Sequence, residues 1–325
     1  MLNRMELTDN ELYEILNNYL LGELEDFSRI NSGIVNDNWL IKTKDKKYIL
    51  RCANKDKDSL GVELSFTKII FENGFNYRVP LPIISNQKKP FVIYKEKLFW
   101  LYEFIDGEIK SELTSELVEE VAIMMANLHN IIEKSNLDLN NSDYNLEKNL
   151  EELIRYKNIS AEKNDKFSIY FYKNVNKMID VCSVLEISDI RRFPIHRDIN
   201  LGNLIFKDNR IVGIIDFDQI SGGKDYLVRD ISNFFLYCLE KESMELNLNL
   251  VKVFLDKYKE LREITQKEME LIIKLMVINC VEDFVYEYKT YLKDSDKSDF
   301  DVLKQKFMQA DSYYKKLDLF NSLTI

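Results

Sequence analysis

The spacing of apolar residues changes at about residue 105, and this change constrains the fold more than any other feature of the sequence. Before it, β-branched and aromatic runs joined by polar turn residues predict three successive strands within residues 27–52 and a hairpin over 90–104. Residues 62–72 between them have a helical period. After it, long amphipathic helices predominate, beginning with residues 114–133. We therefore expect an α+β chain in two lobes, divided into residues 1–104 and 105–325.

Composition narrows the class of protein. A net charge of −10 and a pI near 5.0 argue against a nucleic acid partner. The longest apolar run, at 271–281, is short and contains Lys274, and the N-terminus has no apolar secretion signal. Four widely spaced cysteines favour buried free thiols over a disulfide framework or a zinc site. We expect a cytoplasmic protein with no membrane partner, either a monomer or a homodimer.

One polar segment, FPIHRDINLGNLIF (193–206), holds one of two histidines, one of nine glycines and one of four prolines. Asp198 and Asn203 lie in it, and Asp216 ends the next apolar strand at 211–217. Carboxylate and amide oxygens suit Mg²⁺, which usually completes its shell with a substrate phosphate. Each residue alone is more often a turn former. The specific signal is the order His-Arg-Asp, four residues, Asn, apolar strand, Asp-Phe-Asp.

That order resembles the catalytic loop and metal-binding segment of the eukaryotic-like kinase fold. Within this fold, the chain is similar to the superfamily of aminoglycoside phosphotransferases, choline kinases and homoserine kinases of type II. The resemblance covers nearly the whole chain. It includes YILR ending at Arg51, the helix segment LGVELSF around Glu63, and the hinge-like FWLYEFIDGE (99–108). The N-terminal part looks most like homoserine kinase type II. The resemblance implies a bilobal, protein-kinase-like fold and the use of ATP, or alternatively GTP, with Mg²⁺.

The resemblance also implies roles for individual residues. Asp198 would orient and deprotonate the acceptor hydroxyl, and Asn203 and Asp216 would hold Mg²⁺ on the nucleotide phosphates. Arg51 would contact the phosphates, with Glu63 paired to it, and Asp230 would brace the catalytic loop around His196. The other expected nucleotide contacts are Ser32 and Gly33 in the first turn and Glu103 and Ile105 in the hinge.

Three departures from the protein-kinase pattern limit the class of substrate that we expect. No GxGxxG motif is present, because residues 31–38 contain only Gly33. Arg51 replaces the usual lysine, although its planar fork suits phosphate oxygens. The Asp-Phe-Asp segment is followed within ten residues by DYLVRDISNFF, which leaves no room for a long activation segment. We therefore expect a small-molecule acceptor rather than a protein substrate.

Acidic residues could recognise an amine on that acceptor. Asp283 and Glu287 lie one helical turn apart, with a solvated helix face as the alternative explanation. Asp218 directly follows the metal-binding segment. It would face either the metal or an amine of the substrate, and the alternative explanation is a carboxylate that only forms a turn. The favoured function is phosphoryl transfer to a hydroxyl of a small, amine-bearing acceptor that is homoserine, aminoglycoside or choline-like. The alternative is a non-catalytic nucleotide-binding protein or a spore-coat-type structural member of the same fold.

Overall fold

The computed structural model of the chain describes residues 5–30, 36–135, 139, 143, 147–183, 190–240 and 245–316. Its contacts form two compact units, each of which is described separately below. The first comprises residues 1–112, 131–140 and 201–221, and the second comprises 113–130, 141–200 and 222–325. The sequence predicted two continuous segments divided at 104/105. The structure instead groups residues 201–221 with the N-terminal segment, because their backbone bonds to it.

The first unit contains a five-stranded antiparallel sheet, as the α+β prediction required. Its strands, in spatial order, are β1 (Leu24–Ile30), β2 (Asp37–Thr43), β3 (Lys47–Ala53), β5 (Lys97–Glu103) and β4 (Val92–Tyr94). A capping box formed by Thr8 and Glu11 starts the first helix. In the turn of the predicted hairpin, Lys95 and Glu96 have φ values of 47° and 62°, which suit a tight two-residue turn. The unit also contains the helices α1 (Asp9–Leu16) and α2 (Lys57–Glu72).

Side chains of β3 alternate between two apolar clusters. Leu50 and Cys52 pack in the cluster that includes residues of α1. Ile49 and Ala53 pack in the cluster that includes Leu60 and Leu64 of α2. Because strand side chains alternate with a period of two, the residue between Ile49 and Ala53 on that face is Arg51. The pleat of β3 therefore carries the one charged residue of its buried part to the α2 side of the sheet.

A second, two-stranded sheet completes the first unit: β6 (Leu204–Lys207) and β7 (Arg210–Ile214). The amides of Glu108 and Phe206 each donate to the other's carbonyl at 2.8 Å. Gly107 makes this approach feasible, because a Cβ there would lie 2.5 Å from the Phe206 carbonyl oxygen and from Ile205 Cγ2. The hairpin is thus bonded to the hinge segment that follows β5.

The second unit is helical, as predicted. Thr265 and Glu268 form a capping box at the start of the longest described helix, which ends at Lys293. Phe171 stacks on Phe284 and Tyr288, with ring centroids 4.6 Å and 4.3 Å apart. The helices are α3 (Ser115–Ser135, whose last turn is grouped with the first unit), α4 (Glu147–Ala161), α5 (Lys166–Ser183), α6 (Val228–Phe235), α7 (Leu248–Lys259), α8 (Gln266–Lys293) and α9 (Phe300–Lys315).

Two composition-based expectations concern the whole described chain. The four cysteines are free and buried, as expected for Cys52, Cys182, Cys238 and Cys280. Within the described ranges, no helix is long and apolar enough to cross a membrane.

Candidate active site

Arg51 joins two carboxylates of the segment that follows β7. Its Nη2 atom lies 2.8 Å from Asp216 Oδ1 and 3.1 Å from Asp218 Oδ2. The arginine is 5% exposed, and among the described residues its Nε atom has no hydrogen-bond partner. A buried donor without a partner needs an explanation, and a ligand oxygen is one. The structure therefore brings together Arg51, Asp216 and Asp218, three of the residues selected from the sequence.

Lys55, which the sequence reasoning missed, forms the ion pair that we had assigned to Arg51. Its Nζ atom lies 2.7 Å from Glu63 Oε2 and 3.1 Å from Asp218 Oδ1. The predicted direct pairing of Arg51 with Glu63 is therefore wrong. The reason is that Asp216 and Asp218 draw the guanidinium toward themselves, while Lys55 lies in the β3–α2 turn, eight residues before Glu63. A lysine just ahead of a helix that carries a buried glutamate was the available sequence signal.

Burial and neighbouring cations have opposite effects on the pKa values of Glu63 and Asp218. Burial raises the pKa of Glu63 to about 7, although Arg51 and Lys55 favour its ionised form. For Asp218, burial also favours the neutral form, but the cations Arg51 and Lys55 outweigh it and hold the pKa of that carboxyl below its usual value. Asn36 also donates a hydrogen bond to Asp218. Asp218 is thus an ionised group matched by cations, and its contact with a metal or a substrate amine stays a prediction.

A cavity of about 350 Å³ in the first unit adjoins Arg51 and Asp216. Ile105, predicted from the hinge, lies in its wall. Burial raises the pKa of Tyr102, another wall residue, to about 12. The lining is mainly apolar and comprises Ile30, Asn38, Ile49, Arg51, Tyr102, Phe104, Ile105, Gly107, Ile109, Gly202, Ile205, Ile215 and Asp216. A mainly apolar cavity with a cation and a carboxylate in its wall suits a heterocycle that carries phosphates.

The remaining predicted residues of the first unit have different surroundings. The Glu103 side chain is 43% exposed and lies 3.2 Å from Lys46 Nζ, so it is a surface group. Asn203 ends a short 3₁₀ turn, and its carbonyl accepts from the Ile215 amide at 2.9 Å, which ties it to the segment entering Asp216. Asp216 itself has a left-handed backbone with φ 67°. Ser32 and Gly33 lie outside the described residues.

The loop that carries Asp198 is held in the second unit by Asp230. The fully buried Asp230 accepts from the amide of Arg197 at 2.6 Å and from that of His196 at 3.2 Å. His196 Nδ1 in turn accepts from the Asp198 amide at 3.2 Å, and Asn200 Nδ2 donates to Asp198 Oδ1 at 2.8 Å. The predicted bracing by Asp230 and the loop-stiffening part of His196 are both confirmed.

His129 extends this brace into the helical core. Its Nε2 atom lies 3.3 Å from Asp230 Oδ2, and its Nδ1 atom lies 2.6 Å from the Tyr258 hydroxyl. All three side chains are fully buried. Since a buried imidazole with two partners is held in one orientation, His129 fixes Asp230 and through it the loop.

A second cavity, of about 510 Å³, lies in the second unit. Asp283 lines it and is also 2.8 Å from Lys306 Nζ. Burial raises the pKa of the Tyr237 hydroxyl, and the nearby charges of Asp198 and Asp283 raise it further. Glu287 instead accepts a hydrogen bond from the Asp299 amide at 2.6 Å, just ahead of α9. The other wall residues are Asp143, Lys148, Asn149, Glu152, Gly222, Val281, Glu282, Val285, Tyr286 and Lys289.

Comparison of the sequence with models of known protein families shows the family of this chain. The model of the phosphotransferase enzyme family matches residues 26–223, more than half of the chain. The chain belongs to this family. As a member, this phosphotransferase is a kinase that acts on hydroxyl groups of small molecules, as the sequence resemblance implied.

Three proteins similar to this phosphotransferase share 14–23% of their sequence with it. The homoserine kinase of Agrobacterium fabrum is 23% identical over 270 residues, which are 82% of this chain and 81% of the relative. Amicoumacin kinase hAmiN, solved with AMP-PNP and Ca²⁺, has a TM-score of 0.72 at 14% identity, over 95% of this chain and 94% of that one. Spectinomycin phosphotransferase APH(9)-Ia, solved with ADP and spectinomycin, also gives 0.72 at 16% identity, over 96% and 100%. These likenesses confirm the fold and leave the acceptor open.

Proposed function

We propose that this phosphotransferase transfers the γ-phosphoryl group of ATP to a hydroxyl of a small, amine-bearing acceptor, with Asp198 as the acceptor-side carboxylate. The observation that carries the proposal is the buried brace at Asp230, which fixes the two residues directly before Asp198. Phosphoryl transfer asks a protein mainly for positioning and charge neutralisation. A carboxylate on a braced loop meets the first requirement, because it can orient the hydroxyl and take its proton.

The nucleotide is proposed to occupy the 350 Å³ cavity of the first unit. The base would lie among the apolar wall residues near Ile105, and the phosphates would meet Arg51. The Arg51 Nε atom supports this assignment, since it is a buried donor without a partner among the described residues and its side chain lines the cavity. Lys55 would keep Glu63 and Asp218 in place at 2.7 Å and 3.1 Å.

The residues present fit a bound Mg²⁺. Asp216 and Asp218 supply hard carboxylate oxygens that lie against one guanidinium nitrogen. The backbone of Asn203 is bonded to Ile215, the residue before Asp216, and its side chain would add an amide oxygen. Within the described residues, no group of three or more His, Cys, Asp or Glu side chains is arranged as a metal site. Mg²⁺ typically binds one or two carboxylates and completes its shell with substrate phosphates. We propose Asn203 and Asp216 as its ligands, and the ion would neutralise charge on the phosphates.

The acceptor is proposed to occupy the 510 Å³ cavity of the second unit. Asp283 lies in its wall. The charges of Asp283 and Asp198 both raise the pKa of the Tyr237 hydroxyl. An ammonium group would be attracted to Asp283 and would displace Lys306 from it. Glu287 is less suited to this part, because it already accepts from the Asp299 amide.

The test measures phosphorylation of a panel of amino alcohols, homoserine, choline and aminoglycosides with ATP or GTP and Mg²⁺. We expect Asp198→Asn to lower kcat by about 10²- to 10⁴-fold while nucleotide binding is retained. Asp208→Asn, an exposed aspartate in the β6–β7 turn, is the matched control and should behave as wild type. Wild-type activity in Asp198→Asn would remove Asp198 from the mechanism. A wild-type protein that phosphorylates no acceptor would favour a non-catalytic nucleotide-binding member.

A further inference from the structure

Asp225, a buried carboxylate that the proposed mechanism does not use, lies between two arginines of the second unit. It is 1% exposed, and its Oδ2 atom is 3.4 Å from both Arg197 Nε and Arg229 Nη1. Its backbone amide and carbonyl both pair with those of Phe193 at 2.7 Å. Because Phe193 opens the segment that leads to Asp198, the carboxylate is fixed to the catalytic loop itself.

Arg197, one of its two partners, directly precedes Asp198. Its backbone has φ 64°, a left-handed conformation that is unfavourable for a residue with a side chain. Its Nη2 atom donates to the Gly223 carbonyl at 3.0 Å, and a Cβ at Gly222 would lie 2.7 Å from Nη1. The side chain is 8% exposed. A guanidinium enclosed in this way needs a counter-charge, which Asp225 supplies.

Arg229, the other partner, connects Asp225 to the wall of the 510 Å³ cavity. Its Nη2 atom lies 2.9 Å from both carboxylate oxygens of Glu282, a wall residue. Asn149, also in the wall, donates to Glu282 Oε1 at 2.6 Å. A continuous series of charged contacts therefore runs from the cavity wall through Arg229 and Asp225 to Arg197.

We propose that Asp225 is a positioning residue for phosphoryl transfer, because its charge holds Arg197 and thereby sets the direction of Asp198 relative to the cavity wall. The inference rests on the proposed function of Asp198. Without the charge, the Arg197 guanidinium loses its buried counter-ion and the left-handed backbone loses one of its restraints. A change in the Arg197 backbone would change the orientation of Asp198, which is the next residue.

The test compares Asp225→Asn, which keeps the shape of the side chain and removes its charge, with Asp311→Asn. Asp311 is a matched control, because it lies between Lys177 and Lys315 at 2.9 Å and 2.7 Å and its side chain is 16% exposed. Rates are measured with ATP and the acceptor of the panel that wild type phosphorylates fastest. We expect Asp225→Asn to lower kcat by about 10- to 100-fold with KM for ATP unchanged. Asp311→Asn should change neither constant.

Two further measurements separate positioning from a general loss of structure. Hydrogen exchange should become faster at the amides of 196 and 197 in Asp225→Asn and remain as in wild type in Asp311→Asn. In an Arg197→Met background, Asp225→Asn should lower kcat no further, since it acts through the arginine. This double variant removes both charges together and serves as the test if Asp225→Asn alone does not fold.

The outcomes distinguish the inference from the function on which it rests. Unchanged kcat and unchanged exchange in Asp225→Asn, or an additive loss in the double variant, would overturn the role of Asp225. A wild-type protein without activity on any acceptor would instead defeat the proposed function. The exchange comparison would still decide whether Asp225 restrains the loop.

Discussion

Glu63→Gln should remove a pH dependence of folding stability that originates in the first unit. Glu63 is 2% exposed, and burial raises its pKa from 4.5 to about 7 despite the two cations nearby. Because the folded state binds this proton more tightly than the unfolded state, the stabilisation is fully present below pH 4.5 and is lost as the pH rises through 7. A rise of this size corresponds to about 3 kcal/mol.

The assay is urea unfolding of wild type and Glu63→Gln at intervals between about pH 4.5 and pH 8. The unfolding free energy of wild type relative to the variant should fall by about 3 kcal/mol across this range, mostly below pH 7. Glu72→Gln is the control, because Glu72 lies on the same helix with a side chain 57% exposed. A difference between wild type and Glu63→Gln that does not change with pH would refute the argument that burial governs this carboxyl.

Two substitutions, with a third as control, test the contacts that hold the site in each unit. Gly107→Ala should lower the unfolding free energy by about 1–3 kcal/mol, because the new Cβ meets the Phe206 carbonyl, whereas Gly61→Ala should raise thermal stability, since nothing lies within 4 Å of it on its helix. Asp230→Asn should cost about 1–3 kcal/mol in urea unfolding, because an amide nitrogen cannot accept from the donors that the carboxylate satisfies. An equal effect of the two glycine substitutions, or a fully stable Asp230→Asn, would contradict these assignments.

Local structure was predictable from the sequence because its causes are local. The capping box at Thr8 and Glu11 and the tight turn at Lys95 and Glu96 each depend on a few adjacent residues. The order of the polar residues from His196 to Asp216 was also specific enough to indicate the family, which the comparison confirmed. The individual roles of Asp198, Asn203 and Asp216 stay predictions.

The ion-pair partners of individual side chains were not predictable, because they depend on which groups the fold brings together. Arg51 and Lys55 are both basic residues near the end of β3, and the sequence alone does not say which meets Glu63. The competition is decided by Asp216 and Asp218, whose loop arrives from a distant part of the chain. The role of Asp225 was not predicted for the same reason, since an aspartate that follows Gly-Gly-Lys is typical of a turn.

The bonding of the β6–β7 hairpin to the segment after β5 has a consequence for biosynthesis. Gly107 and Glu108 leave the ribosome about one hundred residues before Phe206, with which they pair. At ordinary synthesis rates this interval is about 5–20 s. During it Ile105 lacks Gly213 of β7, which packs against its side chain in the folded chain. A nascent chain of this protein therefore passes through a period in which that apolar side chain is open to a chaperone.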